Sequence, residues 1–378
     1  MMAGSACCWR RPPVIEQMIF MENENLLPGM FGPMWDLHFV YKDTDFYTRL
    51  AAAAKASVTR PLANVPAYRV DFPIDLVYLW VDGSDPAWRA SYAEHVNIQP
   101  PDGSNFANAD ELRFSLRSVE LYAPWINRIF IVTAGQVPAW LNVDHPKVQI
   151  VDHSAIIPAE HLPAFNSTVI ERFIGRIPNL SEHFLYANDD TFFAAPLQPG
   201  NFFNSAGLAL MYLSKAIDSE DAGGGVYSQM KRNAAKLLTN IFGEQRWRRS
   251  WHQIKPYRRS MFDAIERAIP SIVNWVSPTR TRSSGDVAWN CIFWPSYSVA
   301  AGFATEVPAD RRLSAGYADV RHNAAEAQKA FGCHLGCVNN ASPCTAPAVQ
   351  KEILRYFPDA CEFERLMPDI RQVTAART

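Results

Sequence analysis

Two groups of carboxylates follow apolar runs, and both carry the residue types that hold a phosphate or a cation. The first lies in residues 74–86, IDLVYLWVDGSDP, where Asp82, Gly83, Ser84 and Asp85 close the run. Asp82 and Asp85 offer hard oxygen ligands or acceptors for ribose hydroxyls, and Gly83 lets the chain approach a ligand closely. The same letters also make an ordinary Asp-Gly-Ser turn. In the second group, the apolar run 184–188 leads into Asp189 and Asp190 and then into a further apolar stretch, 191–195. Neighbouring carboxylates repel, and one pKa rises unless a cation or a hydrogen-bond network offsets the repulsion. The pattern suits a divalent cation meeting a nucleotide diphosphate; a solvated turn is the plain alternative.

Such loops need strands that end together. Residues 76–81 form a continuous apolar run, as expected of a strand buried on both faces of an α/β sheet, where ligands bind beyond the carboxyl ends of strands. Residues 110–122 place Leu112, Leu116 and Val119 on one helical face, with Pro124 marking the end. Strands are expected over 127–133 and 148–151, and a helix carrying Glu171 over 168–177. This alternation predicts an α/β fold with a mostly parallel sheet. Gly223, Gly224 and Gly225 read as a hinge. Beyond it, residues 230–270 are expected to be helical and are strongly basic, with Trp247, Trp251 and Tyr257 interleaved. Either this is a solvated helical face, or its aromatics stack on sugar rings while Arg grips phosphate; the second reading is preferred. The expected organisation is an N-terminal extension (1–70), an α/β core (71–222), a helical basic segment (223–290) and a C-terminal segment completing the core (291–378).

The 378 residues are 48% hydrophobic, enough for a large core, and 36 Lys plus Arg against 38 Asp plus Glu argue against a nucleic-acid binder. No apolar segment follows Arg10 and Arg11, so a secretory signal is not expected and the location reads as cytoplasmic. The charge-free windows 197–214 and 287–305 are broken by Pro, Gly, Asn or Ser, so membrane contact is expected to be peripheral, at the inner face. Oligomeric state is not legible. Seven cysteines suggest free thiols. Cys333, His334, Cys337 and Cys344 lack the paired units of a structural zinc site, and Cys7 and Cys8 are conceivable acyl acceptors.

The string IDLVYLWVDGSDP, then ELRFSLRS with APWINRIFIVTAGQVPAWL, then LPAFNSTVIERFIGRIPNLSEHFLYANDD, resembles the first two blocks of the Stealth family of sugar-phosphate transferases. That family includes bacterial capsular polysaccharide phosphotransferases and the animal lysosomal-enzyme N-acetylglucosamine-1-phosphotransferase. Residues 231–286, with His252 and the closing TRTRSSGD, are similar to a third block, and 331–364, ending FPDACEFE, to a fourth. The resemblance implies a Rossmann-like or GT-A-like nucleotide-sugar-binding core with the helical, basic segment as an insertion. It also implies transfer of a sugar-1-phosphate, with a nucleoside monophosphate leaving and a capsular or exopolysaccharide phosphodiester forming. A UDP-GlcNAc-like donor and a glycan acceptor are the implied partners.

The implied catalytic positions are Glu171, Asp190, His252 and Arg282. Asp85, Arg113, Arg117, Asn188, Asp189 and Asp286 lie in matching motifs as candidate substrate contacts, with Asp82 beside them and Arg280 as helper to Arg282. Mg²⁺ or Mn²⁺ would sit on Asp190 and Asp189, and His252 would be the base near neutral pH. Glu171 could equally be a helix-face carboxylate paired with Arg172 or Arg176. Arg113 and Arg117, one turn apart, either point at one anion or pair with Glu111 and Glu120. One departure stands out: Asn339 and Asn340 occupy positions where the fourth block usually has Asn-Asp, so a carboxylate is missing. Two other readings compete: a metal-dependent glycosyltransferase releasing a nucleoside diphosphate, and a carbohydrate-binding protein using its 11 Trp and 13 Tyr.

Overall fold

The computed structural model describes residues 69–98, 100, 106–216, 225–269 and 280–365. Most of the expected N-terminal extension, with Cys7 and Cys8, lies outside the described residues, as do Gly223 and Gly224 of the expected hinge.

The fold is α/β, with a mostly parallel central sheet. Strands β1 (Ile74–Leu79), β2 (Ile129–Thr133), β3 (Val148–Asp152) and β4 (His183–Asn188) run parallel in the order β3-β2-β1-β4. All residues of β1 and β2 are buried, which is why, Asp75 and Thr133 apart, their sequences are apolar runs rather than alternating ones. A buried polar anchor fixes their register at the lower end. Asp75 accepts from Arg128 Nη2 (3.0 Å), Asn127 Nδ2 (2.8 Å) and Ser181 N (2.7 Å), tying β1 to the segments entering β2 and β4.

Helix α1 (Pro86–Val96) begins with Pro at its first position and Asp85 as its cap, a favoured start. Helix α2 (Glu111–Tyr122) packs its apolar face into the core, matching the expected span. Helix α3 (Ser167–Phe173) is capped by Asn166, whose Oδ1 accepts from Thr168 N, and passes into a 3₁₀ turn at Ile174–Arg176. It is shorter than expected: Gly175, where a Cβ would meet Phe262 at 2.4 Å, is a close-packing point for the next layer.

Beyond β4 the chain turns at Asp189 and Asp190 into β5 (Thr191–Phe193), which belongs to a different sheet. Short strands β6 (Ala209–Met211) and β7 (Leu213–Ala216) follow. The expectation of a wholly helical basic segment is corrected here. After α4 (Val226–Phe242) come β8 (Arg248–Ser250) and β9 (Lys255–Arg258) before α5 (Arg259–Ala268), and β9 pairs antiparallel with β4 as the last strand of the central sheet. Local charge does not register strand pairing, which tertiary packing decides.

The remaining elements are α6 (Trp294–Ala300), β10 (Ala304–Glu306), β11 (Ala315–Asp319), β12 (Leu335–Asn339) and α7 (Ala346–Ile353). β11 and β12 pair in parallel and β12 pairs antiparallel with β5, setting Cys337 opposite Thr191. A second core of Phe192, Val338, Val349, Ile353 and Phe357 covers this small sheet. Asp189 and Asp190 therefore stand at the junction of two sheets.

The C-terminal part is pinned to α2 by an ion-pair cluster. Arg117 holds both oxygens of the buried Glu364 (2.6 and 3.0 Å), and Arg113 Nε donates to Oε2 at 2.5 Å. Burial opposes ionisation of Glu364, but the hydrogen bonds and charges of Arg117 and Arg113 outweigh it and hold its pKa below the ordinary value. Its stabilising contribution is therefore complete above the unfolded-state pKa and is lost as pH falls through the lower folded value. Glu364→Gln, which leaves two guanidinium groups with only a neutral partner, should cost about 3 kcal/mol at pH 7 by urea denaturation. A change below about 0.5 kcal/mol, the range of ordinary surface substitutions, would show that the cluster does not hold this segment.

Candidate active site

Above the carboxyl ends of β1 and β4 opens a cleft of about 540 Å³. Glu171, Asn188, Asp189, Asp190, His252 and Arg282 all line it, although they span more than a hundred positions of the chain. Several different elements place them. Asn188 ends β4, Asp189 and Asp190 make the turn into β5, and Glu171 projects from α3. His252 precedes β9, whose antiparallel pairing sets Lys255 opposite Tyr186 and so carries His252 back to the end of β4. The loop bearing Arg282 is fastened to α3: Asp286 accepts from Asn166 Nδ2 (2.9 Å) and from Ser283 N (2.7 Å), and Arg282 Nη2 donates to Ser167 Oγ (3.0 Å).

His252 Nε2 lies 3.1 and 3.2 Å from the two oxygens of Asp190 and 3.3 Å from Asn188 Nδ2. Burial disfavours its charged form, yet Asp190, Cys337 and hydrogen bonds to Asp190 and Cys291 raise its pKa well above the ordinary value. The carboxylate of Asp190 beside Nε2 thus favours the protonated imidazole in the metal-free cleft, whereas a cation bound at Nε2 would displace that proton. Burial and the adjacent Asp190 charge push Asp189 up to about 7.

Glu171 is also raised, by burial, with the charges of Arg282 and Lys255 opposing the shift. Its oxygens accept from Tyr186 Oη (3.2 Å) and Asn290 N (3.3 Å). Arg172 and Arg176 both pair with Glu266 instead, so the helix-face alternative for Glu171 does not describe this structure.

Other expected contacts are placed elsewhere. Asp82 Oδ1 accepts from Ser84 N and Oγ, and Asp85 from Trp88 N; both carboxylates serve their own turn and helix start. Gly83 is required not by a ligand but by Phe106, whose backbone oxygen would lie 2.5 Å from a Cβ there. Arg113 and Arg117 are spent on Glu364, neither on an anion nor on Glu111 or Glu120. Arg280 Nη1 donates to Pro163 O, and Asp286 is a buried fastener. Of the aromatics in the basic run, Trp247 and Tyr257 are core residues, and Trp251 alone is exposed. Arg248 and Arg258 pair with Glu306 and Glu182.

The fourth-block departure does reach the cleft. Asn339 and Asn340 line it, and Asn340, with φ of 64°, donates to Asp319 Oδ2 at 2.9 Å.

Several further groups stand at or beside the site. Glu111 lines the cleft, and its burial and the Asp189 charge push its pKa up to about 8. Lys255 is buried beside Cys291 and Glu171, with its pKa lowered by desolvation. Cys337 Sγ donates to Asp190 Oδ2 at 3.6 Å.

Among the described residues, the potential metal ligands that converge are Asp190, His252 and Cys337, whose ligand atoms lie within 4.8 Å of one another. Asp189, expected to share the ion, instead turns Oδ1 to Asp190 N (3.1 Å). The four-residue zinc candidate does not assemble: Cys333 Sγ caps backbone oxygens, His334 bonds Ser314, and Cys344 is exposed. Asn188 Oδ1 is buried beside this group without a hydrogen-bond partner. A mixed carboxylate, imidazole and thiol set with an orphaned amide oxygen fits a divalent cation, though not the all-oxygen shell that Mg²⁺ prefers.

Residues 72–94 match Stealth protein CR1, conserved region 1, and residues 105–211 match Stealth protein CR2, conserved region 2. The capsular polysaccharide phosphotransferase LcbA of Aeromonas hydrophila is 38% identical over 254 residues, 64% of this chain and 70% of that protein. The exopolysaccharide phosphotransferase SCO2594 of Streptomyces coelicolor is 35% identical over 332 residues, covering 81% of this chain but only 54% of its own length. Among solved structures, the galactosyltransferase LgtC with donor and acceptor sugar analogues overlaps 63% of this chain and 98% of its own, at 12% identity and a TM-score of 0.25. That overlap is too slight to bear on fold or function. No helix among the described residues is long and apolar enough to cross a membrane. Two conserved regions in order, joined to a relative matched over more than two thirds of its length, show that the chain is a transferase belonging to the Stealth family of phosphotransferases.

Proposed function

We propose that this cleft transfers a sugar-1-phosphate from a nucleotide sugar to a glycan hydroxyl, so that a nucleoside monophosphate leaves and a phosphodiester-linked capsular or exopolysaccharide is extended. The supporting observation is the convergence of Glu171, Asp190, His252 and Arg282 on one cavity in a Stealth-family chain. The donor would lie with its base toward the aromatic end, where Trp80, Trp88, Phe106 and Phe165 line the cleft, and its diphosphate toward the charged end. UDP-N-acetylglucosamine is the donor the family resemblance favours.

Attack at the phosphorus nearest the sugar builds charge on the phosphoryl oxygens and on the leaving monophosphate. Arg282 faces that charge with a planar guanidinium, and His252 would join Asp190 in holding the divalent cation. Glu171 accepts the acceptor's proton. Its raised pKa makes it a better base than an exposed carboxylate, and Tyr186 and Asn290 fix its orientation. Asp190 would hold a divalent cation, which when bound would help neutralise the diphosphate. The exposed Trp251 beside His252 offers a flat face to an acceptor sugar. Peripheral action at the inner membrane face agrees with a growing polysaccharide as acceptor.

The test is incubation with a panel of nucleotide sugars and divalent cations, with the released nucleotide weighed by mass spectrometry. Nucleoside monophosphate is expected. Diphosphate release would replace this reading with glycosyl transfer, and binding of glycan without nucleotide release would replace it with a carbohydrate-binding role.

A further inference from the structure

We propose that the ion in this cleft is a thiophilic divalent metal of the zinc and cobalt class, held by Asp190, His252 and Cys337, and that Mg²⁺ is not its native occupant. This deepens the phosphotransferase reading, on which the ion's use in the reaction rests; binding itself can be judged without turnover. Three observations carry it.

The first is donor chemistry. A thiol sulfur and an imidazole nitrogen beside a single carboxylate are poor partners for Mg²⁺, which demands six oxygens in a near-ideal octahedron, and good ones for zinc or cobalt. The second is geometry. Bonds of about 2.0 Å to nitrogen and oxygen and about 2.3 Å to sulfur give a tetrahedron edges of roughly 3.3 to 3.6 Å. Asp190 to His252 is 3.1–3.2 Å and Cys337 to Asp190 is 3.6 Å, so two of the three edges already stand close to such lengths, and the third pair lies within 4.8 Å. Three protein ligands leave one position open, the arrangement of catalytic rather than structural zinc. The third is the Asn188 amide, which touches His252 through Nδ2 while its Oδ1 stays buried and unpartnered at the same place. A buried acceptor with no donor is costly unless something absent from the chain satisfies it.

The positions explain why the set escapes sequence inspection. Cys337 sits in LGCVN, an apolar strand whose other side packs into a core, so it reads as a core thiol. The antiparallel pairing of β12 with β5 alone brings it to the aspartate turn, where Val338 N donates to Asp190 O at 2.9 Å.

The experiment uses the full chain, stripped of metal and titrated with Co²⁺. The visible spectrum should show intense tetrahedral d–d bands, and the near-ultraviolet a sulfur-to-cobalt charge-transfer band, both growing to one equivalent. Cys337→Ser should lose the sulfur band while still binding Co²⁺ more weakly. Cys344→Ser should keep the band, and circular dichroism should confirm that each variant is folded. Should Cys337→Ser fail to fold, Asp190→Asn and His252→Ala provide the same test, each lowering Co²⁺ affinity. Zn²⁺ should displace Co²⁺ stoichiometrically, and Mg²⁺ in large excess should not.

Absence of Co²⁺ binding, a wild-type spectrum without the sulfur band, a band that survives Cys337→Ser but vanishes in Cys291→Ser, or easy displacement by Mg²⁺ would each overturn the proposal. Nucleotide release measured on the same samples separates the two readings. A sulfur band without turnover would fail the reaction and leave the metal site standing; turnover with Mg²⁺ and no sulfur band would do the reverse.

Discussion

Glu171→Gln should lower the transfer rate by about 10²- to 10⁴-fold, the usual worth of a positioned general base. Gln keeps the shape and can still meet Tyr186 and Asn290, so the loss isolates proton acceptance from packing. The pH profile adds a signed test. A base works when deprotonated, and burial raises the Glu171 pKa above the ordinary carboxylate value. The wild-type rate should therefore fall as pH drops through that raised value, earlier than an exposed glutamate would dictate, and the limb should vanish in the Gln variant. The readout is kcat/KM against pH, with thermal melting to show that the variant is folded. A rate within a few-fold of wild type, or an unchanged acid limb, would remove Glu171 from the reaction and leave it a structural carboxylate.

Asp190→Asn should also be strongly damaging, by about 10²- to 10³-fold for the lost electrostatic partner alone. Asp190 touches both His252 and Cys337, so its charge organises the charged end of the cleft. The variant also carries a readout that needs no substrate. With Asp190 neutral, burial is the main remaining influence on His252, and its imidazole pKa should fall from well above the ordinary value toward or below it. NMR titration of the metal-free protein follows that fall. An unmoved imidazole would mean that Asp190 does not control His252, whatever the activity shows.

The scaffold was legible where burial dominates. Residues 76–81 and 184–188 read as strands because both faces are covered, and the aspartates following the second lie in the cleft, where strand-end loops of an α/β sheet should be. Local signals misled in two ways. Asp82 and Asp85 have the letters of a ligand loop, but the same letters cap a turn and a helix, and sequence does not say which use wins. The basic run looked helical because its charges dominate, although β9 is set by pairing with β4.

What sequence could not supply was contact between distant segments. Arg113 and Arg117 find their carboxylate at Glu364, 251 and 247 positions away. Cys337 reaches Asp190 from 147 positions away, through strand pairing that no local pattern records. His252 was legible as a site residue through family resemblance, but its pairing with Asp190, which raises its pKa, depends on that same convergence.

The most direct measurement follows the phosphorus itself. With a nucleotide sugar labelled at the phosphate next to the sugar, the label should move into the polysaccharide product as a phosphodiester. Label retained on the released nucleotide would contradict the account, since the bond broken would then be the one between sugar and phosphate.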